Sequence, residues 1–522
     1  MQEIDGGTDL ASALRLALQR VEGASVQHLQ THLSHLLLTP TQAYKLKKPL
    51  RLPFADFSTV AARRHFCEEE LRLNQRLAPS LYLDVLPVLG SASDPRLGTA
   101  QDAADASQAI DWVLRMRRFP AGSEISALVP AGALQPAQVD AFAERLACFH
   151  AAAPQAPEGS DWGSAAQVEQ ALVAVFDQLH TLLEAAGRTR LAALRAWLAA
   201  RQPQLAQAWA ARRAAGRVRE CHGDLHLGNV VCLDGVLTAF DCLEFSPQLR
   251  WTDTLADVGF FTMDLHAHGR SDLAWRFLDA YLAASGDYAG LAVLRPYEVY
   301  RALVRAMAAR LRAAQGASAQ GPDGPDYLAC AERLAAPMGA RLLITHGLSG
   351  SGKSTAAAAL LEQGAVRLRS DVERKRLYGL APLADSVALG LDIYTPEASQ
   401  RTFAHLAEQA RALLRAGYPV IVDAAFLRRA ERERFHALAR ELGLPFAILH
   451  CHAAPDNLRR RVQERQAAGT DPSEADVAVL ARQQQQSEPL APEELTLALD
   501  LPTDQDWDAL VLYRRWQLSA QA

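Results

Sequence analysis

Lysine is nearly missing from this chain. Only five of 522 residues are lysine (Lys45, Lys47, Lys48, Lys353 and Lys375), although Lys and Arg together number 54. Arginine has replaced lysine wherever a surface charge suffices. The lysines that remain fall in three short segments, which points to sites where a compact ammonium is wanted, as beside phosphate. Asparagine is as scarce, with Asn74, Asn229 and Asn457 alone. The seven cysteines are scattered with no close CxxC pair, which argues against a disulfide framework or a zinc knuckle. There is no basic excess. The net charge of −5 disfavours a protein that wraps nucleic acid by bulk charge. No apolar run reaches the ~18 residues of a membrane span. The first residues lack the basic start and apolar stretch of a secretory leader, so a cytoplasmic protein is expected.

What is present is ordinary for a folded chain: 49% apolar and 22% charged residues. The length exceeds the ~250–300 residues of a single core, so two or three domains are expected. The stretch GASAQGPDGPD (316–326) reads as a linker. It sets a predicted division into domains 1–335 and 336–522. Before it, AYKLK (43–47) alternates as a strand does, and Ser58 is placed to cap a helix that follows. Residues 136–215 are Ala/Leu-rich at helical spacing, strands return around 217–240, and helices resume after Thr252. Beyond the linker, strands and helices alternate. This predicts an α/β domain with a parallel sheet.

GLSGSGKS (347–354) fits the G-x-x-x-x-G-K-[ST] phosphate loop at every fixed position, between an apolar strand and a helix. Backbone N–H groups over Gly347, Ser349, Gly350, Ser351, Gly352 and Thr355 would cradle phosphate oxygens. Lys353 would reach the β- and γ-phosphates, and Ser354 would ligate Mg²⁺. Asp423 ends the apolar strand PVIVD, where a carboxylate holds Mg²⁺. Asp371, in RSDVERK, stands at the ligand edge of the sheet and is the candidate base for an acceptor hydroxyl, with Arg374 and Lys375 beside it. Arg461 and Arg465 lie one helical turn apart and are candidates to close over the phosphates. These features resemble the small P-loop kinases, namely gluconate kinase, the zeta-toxin kinases and polynucleotide 5′-kinases, over roughly residues 340–515.

A second constellation lies at ECHGDLHLGNVVCLDGVLTAFDCLEF (220–245). Asp234-Gly235 is a strong hairpin signal. Pairing outward from it sets Leu233 opposite Val236 and Asn229 opposite Phe240. Asn229 and Asp241 then meet at the open end, with Asp224 in the loop before them. The expected roles are Asp224 as acceptor of the hydroxyl proton and Asn229 with Asp241 as Mg²⁺ ligands.

HGDLHLGN resembles the catalytic loop of the aminoglycoside phosphotransferase family, a branch of the protein-kinase-like fold, over roughly residues 25–315. The resemblance places Asp241 at the aspartate of D-F-G, here D-C-L. It makes the strand YKLK the carrier of an ATP-binding lysine, with Glu70 as its helix partner. Lys45 and Lys47 share one side of that strand, and Lys47 aligns better. The whole chain looks like a bacterial fusion of an α+β kinase-like domain with an α/β P-loop domain. The expected activity is ATP-dependent phosphoryl transfer, with Mg²⁺, to small-molecule hydroxyl acceptors. The alternatives are a regulatory ATP-binding protein with a ligand-sensing pseudokinase domain, or a nucleic-acid 5′-hydroxyl kinase in the C-terminal part, where Arg459, Arg460, Arg461 and Arg465 would form a local groove.

Overall fold

The computed structural model describes residues 7–52, 55–102, 106–314 and 324–519. The chain forms two compact units. The first comprises Met1–Gln138, Phe149–Gln170 and Trp209–Phe261, and the second comprises Val139–Cys148, Ala171–Ala208 and Thr262–Ala522.

The first unit is built on an antiparallel sheet ordered β1-β2-β3-β8-β6-β7. Its strands are β1 (Gln27–Gln30), β2 (Ser34–Leu38), β3 (Gln42–Lys47), β6 (Tyr82–Gly90), β7 (Pro95–Leu97) and β8 (Asp111–Arg117). A short pair, β4 (Arg51–Leu52) and β5 (Ala55–Asp56), lies between β3 and the next helix in sequence. The two-residue period of β3 divides its side chains between the faces of the sheet. Tyr44 and Leu46 join an apolar cluster with Leu10, Leu14 and Leu18 of the helix Gly7–Glu22. Lys45 and Lys47 point to the other face, toward the helix Val60–Asn74. That helix buries Arg63, Cys67, Glu70, Leu73 and Asn74, a stripe of helical spacing that aims Glu70 at the lysines. Its cap is Thr59, whose hydroxyl accepts the Ala62 N–H, rather than the predicted Ser58. Ser58 instead donates to Asp56.

Two more strand pairs complete this unit. β9 (Val218–Glu220) pairs with β12 (Trp251–Asp253), and β10 (Val230–Leu233) pairs with β11 (Val236–Ala239). The second pair has the predicted register, with Leu233 opposite Val236 and the Phe240 N–H donating to the Asn229 carbonyl. Its turn places Asp234 at φ 50° and Gly235 at φ 81°. Successive left-handed residues of this kind match the right-handed twist of the flanking strands.

The second unit holds a five-stranded parallel sheet ordered β14-β15-β13-β16-β17. The strands are β13 (Leu342–His346), β14 (Val366–Arg369), β15 (Val420–Asp423), β16 (Phe446–His452) and β17 (Ala498–Pro502). Leu343, Ile421, Ala447, Leu449 and Leu501 pack one face of it against Ala356, Ala357 and Leu360 of the helix Lys353–Leu361 and Trp516 of the helix Ala509–Gln517. The helices Ser271–Ser285 and Leu291–Ala314 belong to the same unit. Asp279 of the former accepts two hydrogen bonds from Arg367 of β14, at 2.6 and 3.2 Å. The Leu291 carbonyl of the latter accepts from Tyr418. The division expected at 335/336 falls inside this unit, and most of the linker reading at 316–326 falls outside the described residues. The helix Tyr327–Ala335 follows it, capped by Asp326. Among the described residues no helix is long and apolar enough to cross a membrane.

Candidate functional site

The first candidate site gathers on one face of the six-stranded sheet. Lys45 Nζ lies 2.7 Å from Glu70 Oε1 and 2.8 Å from Asp241 Oδ1. Burial works against its charge, but Asp241 and Glu70 outweigh it and hold Lys45 well above the usual lysine range. Lys47, the lysine preferred from sequence, takes the other Glu70 oxygen at 2.7 Å and Glu244 Oε1 at 2.5 Å. Its side chain is 2% exposed, sealed between two carboxylates. Of the two lysines, Lys45 is therefore the one that meets the hairpin's aspartate. Asp241 is half-buried and has φ 62°, a left-handed conformation that costs a non-glycine residue energy. Its backbone N–H donates to the Tyr82 hydroxyl at 3.0 Å. Burial would raise its carboxyl, yet Lys45 holds it below the usual range.

Asp224 and Asn229 meet in the loop that precedes β10. The Asn229 amide donates to the Asp224 carbonyl at 2.9 Å and to its carboxylate at 3.0 Å. The hairpin register sets Asn229 beside Phe240, next to Asp241. The loop is fixed by a residue that the motif reading missed. Asp257, wholly buried on the helix Thr254–Ala267, accepts the N–H groups of His222 at 2.7 Å and Gly223 at 2.9 Å. His222 Nε2 bonds the Phe240 carbonyl at 2.9 Å, tying loop to hairpin. Asp257 carries no motif of its own. Its one signal is an acidic residue inside the apolar run LADVGFF. Asp257→Asn can keep only one of the two acceptor bonds and sets an amide N–H against a buried donor. A loss of roughly 1.5–3 kcal/mol of stability is expected, read as a lower denaturation midpoint.

The second candidate site is the phosphate loop between β13 and the helix Lys353–Leu361. Two of its glycines have no substitute. Gly347 (φ 144°) would put a Cβ 2.2 Å from the Cys451 carbonyl, and Gly350 (φ 82°) would put one 2.5 Å from the Leu458 carbonyl. Lys353 Nζ donates to the Leu348 carbonyl at 2.7 Å, and the Ser349 N–H donates to Gln483, a residue with no sequence signal. Burial pushes the Lys353 ammonium down, with Asp423 opposing it. Asp423 ends β15, which pairs directly with β13. Its Oδ2 is buried without a hydrogen-bond partner, 3.8 Å from Arg369 and 4.0 Å from Arg367.

A cavity of about 630 Å³ is lined by Lys353, Ser354, Asp371, Arg374, Asp423 and Arg465, so these predicted groups share one space. Asp371 sits in the first turn of the helix Ser370–Leu377, one step past β14. Arg461 and Arg465 part company. Arg461 donates to Thr503 Oγ1 at 2.8 Å and to the Gly350 carbonyl of the loop at 3.3 Å. Arg465 donates to the Ala475 carbonyl and lines the cavity. Lys375 is buried against Glu474 at 3.0 Å, which leaves Arg374 as the basic neighbour of Asp371.

Residues 53–297 match the phosphotransferase enzyme family, and residues 342–490 match the AAA domain. An uncharacterized protein of Mycobacterium tuberculosis is 29% identical over 465 residues, spanning 87% of this chain and 89% of its own. An uncharacterized protein of Mycobacterium bovis matches to the same extent. Among solved structures, a choline/ethanolamine kinase family protein from Mesorhizobium loti is similar at 15% identity over 63% of this chain and 92% of its own, with TM-score 0.34. A sugar kinase from a Janibacter species is similar at 22% identity over 35% of this chain and 96% of its own, with TM-score 0.27.

Proposed function

We propose that this chain, which joins a phosphotransferase-family segment to an AAA segment, is an ATP-dependent phosphotransferase with two nucleotide sites, one in each of two functional domains, 1–335 and 336–522. Each site moves the γ-phosphoryl group of ATP to a hydroxyl of a small molecule. The acceptor oxygen bonds to phosphorus, the bond to the β-phosphate oxygen breaks, and the hydroxyl proton passes to a carboxylate. In the N-terminal site that carboxylate is Asp224, oriented by Asn229. Lys45 holds nucleotide phosphates, and Glu70 keeps its ammonium in place. In the C-terminal site Lys353 and the loop amides hold the phosphates, Arg465 faces them, and Asp371 takes the proton.

The oxygen donors fit Mg²⁺ in both sites: Asn229 and Asp241 in one, Ser354 and the Asp423 oxygen that makes no hydrogen bond in the other. The ion, when bound, neutralises charge on the transferring phosphoryl group. The observation that carries the reading is the Glu70–Lys45–Asp241 bridge beside an oriented Asp224. A regulatory pseudokinase would be free to lose one member of that set. The net charge of −5 favours a small acceptor over a nucleic-acid end.

Calorimetric titration with a non-hydrolysable ATP analogue and Mg²⁺ tests the two sites. Two binding events per chain are expected. Lys353→Ala removes one, and Lys45→Ala removes the other. Lys47→Ala strips the buried Glu70–Glu244 pair of its counter-charge, so a fall in stability is its main effect. A single site in the intact protein would overturn the two-site reading.

A further inference from the structure

Three neighbouring strands of the parallel sheet carry a row of metal-binding side chains that phosphoryl transfer does not use. Parallel pairing sets His346 of β13 across from His450 of β16, and His450 across from Asp500 of β17. His452 lies two residues beyond His450, on the same face of β16. The intervening Cys451 packs into the core beneath the helix Lys353–Leu361, so the histidines face the opposite side of the sheet. There they line a cavity of about 380 Å³ with Gly347, Ser351 and Leu490.

The side chains converge. His346 Nδ1 lies 2.8 Å from His450 Nδ1, and His452 Nε2 lies 3.1 Å from Asp500 Oδ1. One ligand atom from each of His450, His452 and Asp500 falls within 4.8 Å of the others. A further nitrogen, His346 Nε2, is buried with no hydrogen-bond partner.

We propose that His450, His452 and Asp500 bind a borderline divalent transition ion of the Zn²⁺ class, with His346 holding the His450 ring through the Nδ1 contact. Two imidazoles and a carboxylate suit Zn²⁺ and Co²⁺, whereas Mg²⁺ takes oxygen ligands. Tetrahedral ligands at ~2.0–2.1 Å from the ion stand about 3.3 Å apart. The His452–Asp500 pair already has that spacing, and both side chains are exposed enough (47% and 63%) to turn toward His450. Three protein ligands leave a fourth position for water. The ion joins β16 to β17, and the His346–His450 contact links that pair to the end of β13, directly before Gly347 of the phosphate loop.

The test uses the full-length, tag-free chain, stripped by a chelator and kept free of nucleotide and Mg²⁺. It is titrated with Co²⁺ while the visible absorption of tetrahedral cobalt is followed, and then with Zn²⁺ against a chromogenic chelator. One equivalent per chain is expected. The cobalt band disappears in His452→Ala and in Asp500→Ala, and His346→Gln weakens binding ~10–100-fold, as loss of a residue that orients a ligand does. Circular dichroism confirms the fold of each variant, and His452→Gln replaces the alanine form if that one does not fold. The proposal is overturned if the chain binds no Co²⁺ or Zn²⁺ at micromolar concentration. It is equally overturned if the band survives in the folded His452/Asp500 variants, which would place the metal elsewhere, on the cysteines for example.

Discussion

Asp224→Asn is expected to lower phosphoryl transfer by the N-terminal site ~10²–10⁴-fold, the range for a lost general base. The measurement is made in a Lys353→Ala background, so that the other site does not contribute, with ³²P-labelled ATP against a panel of sugars, amino alcohols and aminoglycosides. Affinity for ATP stays the same, because Lys45, Glu70 and Asp241 form their bridge without Asp224. The Asn229 amide now donates to Asp224 Oδ2. In the variant it still finds an amide oxygen at that place, so the loop keeps its shape and the loss is chemical rather than structural. Full activity in Asp224→Asn would remove Asp224 from the reaction. Loss of ATP binding would move it to the phosphate-holding groups.

The hairpin of this site was legible because every force that shapes it is local. Asp234-Gly235 selects the turn, the turn sets the register, and the register brings residue 229 beside 240. The two candidate lysines were legible only as a pair. Lys45 and Lys47 share a face of β3, and both reach Glu70. What separates them is Glu244, which closes over Lys47 and leaves Lys45 for Asp241. That partner comes from 197 residues further along, a distance at which spacing carries no information. Asp257 was hidden for the same reason, because it acts on backbone N–H groups, which no residue type advertises.

In the C-terminal half the phosphate loop and the order of strands and helices could be read directly. The fate of the two arginines could not. A helix fixes Arg461 and Arg465 on one face, but Thr503 engages the first and leaves the second lining the cavity. The histidine row was invisible for a topological reason. Its members come from three strands that become neighbours only through the order β13-β16-β17. The association of Arg367 with Asp279 is equally non-local, and with it the grouping of the helix Ser271–Ser285 with the P-loop sheet.

Exchanging Asp371 and Asp423 of the C-terminal cavity for amides, one at a time, should separate their roles. Asp423 ends the strand paired with the loop strand, keeps a buried oxygen that makes no hydrogen bond, and lines the same cavity as Lys353 and Ser354. Asp423→Asn should therefore weaken Mg²⁺-dependent ATP hydrolysis even without acceptor. The fold should tolerate the change. Arg367 keeps Asp279 at 2.6 Å, and Arg369 keeps Asp471 at 3.0 Å, so neither arginine is left as an unpaired buried charge. Asp371 stands one strand further out, past β14, with Arg374 on the same helix. Asp371→Asn should leave ATP binding intact and reduce transfer ~10²–10⁴-fold. Both variants are measured in an Asp224→Asn background by calorimetry with the ATP analogue, by acceptor-free hydrolysis and by transfer to the hydroxyl panel. If Asp371→Asn abolished ATP binding while Asp423→Asn left hydrolysis unchanged, the metal would belong to Asp371 and the proton to Asp423.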